Sequence, residues 1–380
     1  MCPRFVVKLG AMKAALFSSV PYQGPAPRGV WPVPSQTFST EVAQKSMENS
    51  LEMFQLADEL GFDWVTVAEH HYAPMGLTPN PMVIAGALSQ RVRRARIALL
   101  GPDIPILNPV RVAEEFAMLD TLTGGRVVAG MLRGTSNEYV TYGVNPAESR
   151  ERFEEAMALI VKAWTEPQPF GWAGRYYEFR AISIWPKPVQ QPHPPIYVSA
   201  SSPESGEFAA QNHLSVGFAF TTVPYASDAV RHYRTEAAKV GWEPGPDDVI
   251  YRCGIHVADT DEQAIEDVLA SGGGERRTAY STSNKAVDDA AASAGYYGRD
   301  TQRQRDRHAA HDLKERMELG QLVAGGPDSV LSQIRAINQE LGNGFLEVIF
   351  SPVGRDKTLK ALELFGTKVL PRMRELQANV

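Results

Sequence analysis

Two histidines and a carboxylate stand together in the string AEHHYAP, Ala68 to Pro74, directly behind an apolar run. A histidine changes charge near neutral pH, so the string offers proton exchange or hydrogen-bond donation. Alternation along an extended strand puts Trp64, Thr66, Ala68 and His70 on one side and Val65, Val67, Glu69 and His71 on the other. The histidines therefore diverge, which serves a metal ion poorly because its ligands must converge. If the valine side packs on helices, His70 stands at the rim of the interior; a histidine satisfied in the core is the competing reading. A second cluster, GMLRG (Gly130 to Gly134), ends an apolar run with an arginine beside glycine. Arg133 there suits a bidentate grip on phosphate or carboxylate, and equally a structural ion pair. A third, SASSPES (Ser199 to Ser205), joins a run to a helix starting near Pro203, where hydroxyls and orphan N–H groups make an anion site or a plain cap. Arg133 and Ser199–Ser202 on consecutive strands of one barrel could share a single phosphate. Tyr139 and Tyr142 follow in TSNEYVTYG and could cover a flat aromatic ligand, or only pack.

Positioning such residues requires a scaffold, and eight short apolar, β-branched runs alternate with helical patterns. They begin at Lys13, Asp63, Ala95, Arg126, Pro195, Ser215, Val249 and Leu346. Eight parallel strands with helices between them are what an α/β (β/α)8 TIM barrel needs, with a doubly wound open sheet as the lesser alternative. Met47, Leu51, Phe54 and Ala57 share one helical face, as do Leu359, Leu362, Phe365, Val369 and Met373. Residues 1–380 read as a single barrel domain with insertions after strands 4 and 7. The first, 134–194, holds a helix over about Ala147 to Trp164 and a Pro- and aromatic-rich passage that reads as a hairpin. The second, 272–320, opens at Gly272, Gly273 and Gly274 and reads as an active-site lid or as a solvated excursion. Trp31, Trp172, Tyr176, Tyr177 and Trp185 hint at an aromatic pocket, with local packing as the alternative.

The composition narrows the chemistry further. In 380 residues, 43% are hydrophobic and 22% charged, with no run of eighteen apolar residues, as expected of a soluble globular chain outside any membrane. A net charge of −6 supplies no basic face for nucleic acid, so small molecules are the expected partners. Cys2 and Cys253 make neither a disulfide framework nor a thiolate metal site, and no metal is expected; a reducing, cytoplasmic location fits. Residues 1–11 read as a short leader, with Met12 as an alternative start. Neither a dinucleotide fingerprint nor a G-x-S-x-G elbow is present.

The strings ELGFDWVTVAEHHY, NPVRVAEEFAMLDTLTGGRVVAGMLRG and PIYVSASSPESGEFAAQ, taken in order, resemble the bacterial luciferase-like flavin-dependent monooxygenases. The likeness runs from about Lys13 to Phe220 and again from Gly325 onward. It implies a barrel that takes reduced FMN as cosubstrate from a separate NAD(P)H:flavin reductase and uses O2 to oxygenate a small organic substrate. Homodimers or homotetramers are the implied assemblies. By the resemblance His70 matches the catalytic histidine, acting as acid or base, and Arg133 the phosphate-binding arginine. Ser199, Ser201 and Ser202, with Val198 before them, match the phosphate-binding turn, and Tyr139 is counted with the cofactor residues. Leu100 and Gly101 match a non-proline cis peptide against the flavin ring, although Pro102 could shift that link by one bond. Leu132 stands where the light-emitting enzymes carry a reactive cysteine, so bioluminescence is not implied. The rival readings are a 5-deazaflavin-dependent oxidoreductase of the same fold, a non-catalytic flavin-binding protein, and a metal-dependent barrel hydrolase.

Overall fold

The apolar runs become strands because they are buried on both faces, as parallel strands covered by helices must be. In the computed structural model, which describes residues 10–27, 30–219, 221–272 and 312–376, they are, in chain order, β1 (Lys13–Phe17), β2 (Trp64–Val67), β3 (Arg96–Leu99) and β4 (Val127–Met131). An outlying antiparallel hairpin, β5 (Phe170–Ala173) and β6 (Glu178–Ile182), precedes β7 (Ile196–Ser199), β8 (Ser215–Ala219), β9 (Val249–Val257), β10 (Leu322–Gly325) and β11 (Phe345–Phe350). Parallel pairing runs β1–β2–β3–β4–β7–β8–β9–β11 and returns to β1, so the sheet closes into an eight-stranded barrel rather than an open sheet. β10 is a ninth parallel strand, paired with Gly254–Val257 of the long β9. Its four residues, which end in Gly325 and run into Gly326, are too short to stand out from the sequence pattern.

Alternation sorts the side chains as expected. Val65 and Val67 join the outer core between strands and helices, while Trp64 points inward with Ala15, Ala98, Leu100, Val128, Tyr197, Ile250 and Phe345. The Trp64 ring lies 3.9 Å from that of Phe345 and 5.2 Å from that of Tyr197. This plug closes the barrel floor, so ligands have only the opposite, C-terminal mouth.

The helices are α1 (Thr40–Leu60), α2 (Pro81–Arg91), α3 (Pro109–Thr123), α4 (Ser136–Tyr142), α5 (Ser149–Thr165), α6 (Pro203–Gln211), α7 (Val223–Lys239), α8 (Asp261–Ala270) and later segments. α1 buries Leu51, Phe54 and Ala57; Ser39 caps its start by accepting the Val42 N–H at 3.3 Å, and Gly61 ends it at φ 89°. α5 begins two residues later than its sequence pattern predicts, because Pro146–Glu148 form a 3-10 turn ahead of it. The expected hairpin is present, and its aromatic residues serve packing. The Trp172 ring N–H and the backbone N–H groups of Arg175, Tyr176 and Tyr177 all converge on the Glu155 carboxylate of α5. Trp185 is 88% exposed. The last amphipathic stretch is not one regular helix: Phe365–Val369 form a π turn before Leu370–Met373. Pro371 lacks the N–H that would continue the ladder, and the wider turn keeps Phe365, Val369 and Met373 buried. Of the expected lid, residues 273–311 lie outside the described residues; Leu313–Glu318 is helical. No helix among the described residues is long and apolar enough to cross a membrane.

Candidate active site at the barrel mouth

His70 follows β2 on the inward-pointing side, above Thr66 and Ala68. The loop carrying it is laced to the segment after β1. The His70 N–H donates to the Thr78 carbonyl at 3.2 Å, Leu77 N–H to the Val20 carbonyl at 2.9 Å, and the Thr78 hydroxyl to the Ser19 carbonyl at 3.3 Å. Gly76 is required by this lacing, since a Cβ there would meet the Ser19 carbonyl at 3.0 Å and the His70 Cβ at 3.1 Å. The imidazole is half-buried and has no hydrogen-bond partner among the described residues. Burial first, then the charges of Arg252 and His71, hold its pKa down to about 4, so it is neutral at neutral pH. A neutral, unengaged imidazole can accept a proton or donate its own.

Next along the rim, the Leu100–Gly101 peptide is cis, at that bond and not at the following Gly101–Pro102. Leu100 itself packs into the barrel interior. A Cβ on Gly101 would lie 2.1 Å from the Leu99 carbonyl, so only glycine fits the backbone crossing there. The rim at β3 is therefore bare backbone, a surface a planar ring can approach closely.

The third part is an anion cradle at the ends of β4 and β7. The Ser199 and Ser201 hydroxyls are 2.9 Å apart, and Ser202 caps α6 by accepting the Ser205 N–H at 3.3 Å. Arg133 and Arg150 both bear on this helix start. Burial and the Arg133 charge press the Arg150 guanidinium below its usual pKa. Although burial works the other way, hydrogen bonds from backbone and Ser202 and the charges of Arg150 and Arg133 hold the Glu204 carboxyl below its ordinary value. Two guanidinium groups, three serine hydroxyls and a helix N-terminus together suit a phosphate monoester. Arg150 escaped the sequence reading because an arginine inside the charged pattern SRERFEE reads as a solvated helix face.

Two predicted residues take other places. Tyr139 is fully buried beside Ile106 and Val144, and its hydroxyl donates to the Arg133 carbonyl, so it fixes the arginine's backbone and cannot cover a ligand. The Thr135/Glu138 capping box before it marks a helix, α4, with a face to bury. The Val198 side chain lies in the outer core, leaving only its backbone toward the mouth. His71, as expected, points away from His70: its Nε2 meets the buried Glu69 carboxylate at 2.9 Å. The second Glu69 oxygen accepts the Asp103 N–H at 3.1 Å. Burial, then the Glu69 and Glu138 charges, raise the Asp103 carboxyl well above the carboxylate range. Tyr142, its ring 5.0 Å from that of His71, lines with Glu69, Arg111 and Glu115 a cavity of ≈ 240 Å³ outside the barrel wall, between the starts of α2 and α3.

Comparison with known proteins gives this geometry a context. A model of the luciferase-like monooxygenase family matches residues 28–343. The chain is 31% identical over 182 residues to the oxygenase component of the flavin-dependent trigonelline monooxygenase of Acinetobacter baylyi, covering 47% of this chain and 50% of that one. It spans about half the length of this and other curated relatives matched above 30% identity. Identity to the 4-hydroxyprotoasukamycin monooxygenase of Streptomyces nodosus subsp. asukaensis is 25% over 86% of this chain and 87% of that one. Among solved structures, the oxygenating constituent of 3,6-diketocamphane monooxygenase from Pseudomonas putida, in complex with FMN, superposes with a TM-score of 0.74 at 19% identity, covering 97% of this chain and 100% of that one. An F420-dependent secondary alcohol dehydrogenase superposes with a TM-score of 0.66 at 16% identity, over 96% and 99%. At such identities these two likenesses are likenesses of fold.

Proposed function

Given that this chain belongs to the luciferase-like monooxygenase family, we propose that it is the oxygenase component of a two-component system, taking reduced FMN from a separate NAD(P)H:flavin reductase and using O2 to oxygenate a small organic substrate. One observation carries the reading: a neutral histidine, a bare-backbone rim at a cis Leu100–Gly101 peptide, and a two-arginine, three-serine cradle occupy the same mouth of the barrel. The residues fit the group. Arg133, Arg150, Ser199, Ser201 and Ser202 would hold the phosphate, and the Leu100–Gly101 backbone would lie against the ring. Bound reduced flavin supplies the electrons with which O2 is activated. His70, held in place by its loop and neutral at neutral pH, would move a proton at its ring nitrogen, while the plugged floor keeps water from entering below. The relative named an oxygenase component supports a partner reductase. Relatives named as alpha and beta chains of alkanal monooxygenase support an oligomer, for which a homodimer or homotetramer is the simplest form.

The second reading is hydride transfer with a 5-deazaflavin coenzyme, favoured by the fold of the F420-dependent neighbour. Anaerobic titration of the purified protein with FMN, reduced FMN and F420, followed by absorbance and fluorescence and then by admitting oxygen, decides between them. Tighter binding of reduced FMN, with an oxygen-dependent change in its spectrum distinct from free flavin, is the expected result. Preference for F420 would overturn the FMN assignment.

A further inference from the structure

Behind the mouth, three buried carboxyl groups bear on one another: Glu69 after β2, Asp103 after β3 and Glu138 of α4, each 4% exposed. Three such groups resist being ionised together in so dry a place, because each charge disfavours the next. The hydrogen bonds show which one yields. Glu138 accepts both the backbone N–H and the hydroxyl of Thr135. Glu69 accepts the Asp103 N–H at 3.1 Å with one oxygen and meets His71 Nε2 at 2.9 Å with the other. Both serve as acceptors, which suits the ionised form. The Asp103 side chain packs against Gly134, where a Cβ would lie 2.9 Å from its carboxyl carbon, and burial and the two carboxylates favour its un-ionised form. Around the cluster, Tyr142 of α4 feels the Glu69 and Asp103 charges, Glu115 of α3 feels that of Glu69, and Arg133 precedes Gly134.

The cluster backs onto all three parts of the site. Glu69 directly precedes His70, Asp103 follows the Leu100–Gly101 rim through Pro102, and Leu132 directly precedes Arg133. Asp103 pairs with Leu132 in a short parallel bridge, in which the Leu132 N–H donates to the Pro102 carbonyl at 3.1 Å and the Ile104 N–H to the Leu132 carbonyl at 2.9 Å. Pro102 has no N–H to offer, so the first donor beyond Gly101 is that of Asp103, and it goes to Glu69.

We propose that Glu69 and Asp103 are positioning residues for the cofactor: a carboxylate at Glu69 and a carboxylic acid at Asp103 strap the Leu100–Gly101 rim to the Leu132–Arg133 segment, and ionisation of Asp103 slackens the strap. The inference rests on the flavin reading above, since it takes the rim as the surface against which the ring lies. Each residue acts through the backbone it holds and neither touches the flavin. A third negative charge beside Glu69 and Glu138 is repelled by both, and the rim backbone that carries Asp103 moves with it. Because Asp103 carries its proton at neutral pH and gives it up as pH rises, the grip on flavin weakens on the alkaline side.

The test measures FMN and riboflavin affinity of the full chain by flavin fluorescence, at neutrality and at about pH 9, a range over which buried carboxyls give up their protons. Comparing proteins at equal pH cancels the titration of the flavin itself. Wild type should lose at least about threefold in affinity for both flavins between the two conditions, while Asp103→Asn, which keeps the shape of the acid and cannot ionise, should hold its affinity and bind more tightly than wild type at the alkaline end. Profiles that run parallel in the two proteins overturn the proposal. So does an Asp103→Asn protein about tenfold weaker than wild type at neutrality, because Asp103 would then work as a carboxylate. Glu69→Ala, which removes the acceptor, should weaken FMN and riboflavin by the same factor, about tenfold, since the rim holds the ring that both share. A folded Glu69→Ala protein that binds both as wild type does, or loses FMN alone, overturns the strap. Should the variants fail to fold, wild type carries the test: the infrared difference spectrum of the FMN complex between the two conditions must show the loss of a buried carboxylic-acid C=O stretch together with the fall in affinity. A spectrum without that loss overturns the proposal. A wild type that takes up neither flavin overturns the functional reading itself, and this inference with it.

Discussion

The two sides of the wall at the end of β2 carry neighbouring histidines with opposite fates. On the outer side His71 is saturated: Glu69 holds its Nε2 at 2.9 Å, the Tyr142 hydroxyl approaches its Nδ1 at 3.5 Å, and its carbonyl accepts the Trp31 ring N–H at 3.4 Å. On the inner side His70 is placed through its backbone, and its ring makes no hydrogen bond among the described residues. The same contrast recurs after β4, where Arg133 bears on the anion cradle and Tyr139, six residues later, is buried beneath it. A buried polar network that is fully satisfied stiffens the wall, whereas polar groups at a mouth are those placed to meet a ligand.

The contrast can be broken experimentally. His70→Ala should lower oxygenation turnover by about 10²- to 10⁴-fold while leaving FMN affinity nearly unchanged, measured by product formation with reductase supplied in excess. Loss of FMN binding in step with turnover would mean that the ring is structural. His71→Ala should do the reverse, lowering unfolding stability in urea by about 2–3 kcal/mol because Glu69 loses a buried partner, with the folded protein retaining activity. Arg133→Ala should weaken FMN by about tenfold or more, with riboflavin, which lacks the phosphate, unaffected. If riboflavin binding falls equally, Arg133 does not grip phosphate. Tyr139→Phe should cost about 1 kcal/mol of stability and leave flavin affinity alone. The smallest effect is in titration: the His70 ring should stay neutral as pH falls from 7 and protonate only near 4, instead of at the ordinary 6.5, followed by NMR. Since its folded pKa is depressed, the unfolded chain takes up this proton first, and the His70 contribution to stability falls between pH 6.5 and 4. A midpoint near 6.5 would mean that the inner side is as solvated as a surface.

Much of the scaffold was legible in the residues. Eight apolar runs, the parity along Trp64–His71, the hairpin and the cap of α6 all depend on local periodicity and on backbone donors that a nearby hydroxyl can satisfy. The cis peptide at Leu100–Gly101 followed from the family resemblance, not from any local rule. β10 was missed because four residues carry too little period, and the C-terminal helix was read as continuous because its apolar spacing survives the π turn that Pro371 imposes. Tyr139 was misplaced because a tyrosine in a glycine-flanked loop looks available until the helix it belongs to is recognised.

What the chain determines by itself is therefore which side of each strand a residue occupies and where helices start and stop, since these are set by neighbours within a few positions. Only the tertiary structure decided which residues meet. Closure from β8 through β9 to β11 brings Arg252, Glu347 and Phe17 together across 330 positions of sequence, counted from 17 to 347. Packing of α5 beside the starts of β4's loop and α6 brings Arg150 to Arg133 and Glu204. The physical reason is that strand parity costs nothing to specify locally, whereas stagger and closure depend on how every strand and helix fills the space against its neighbours.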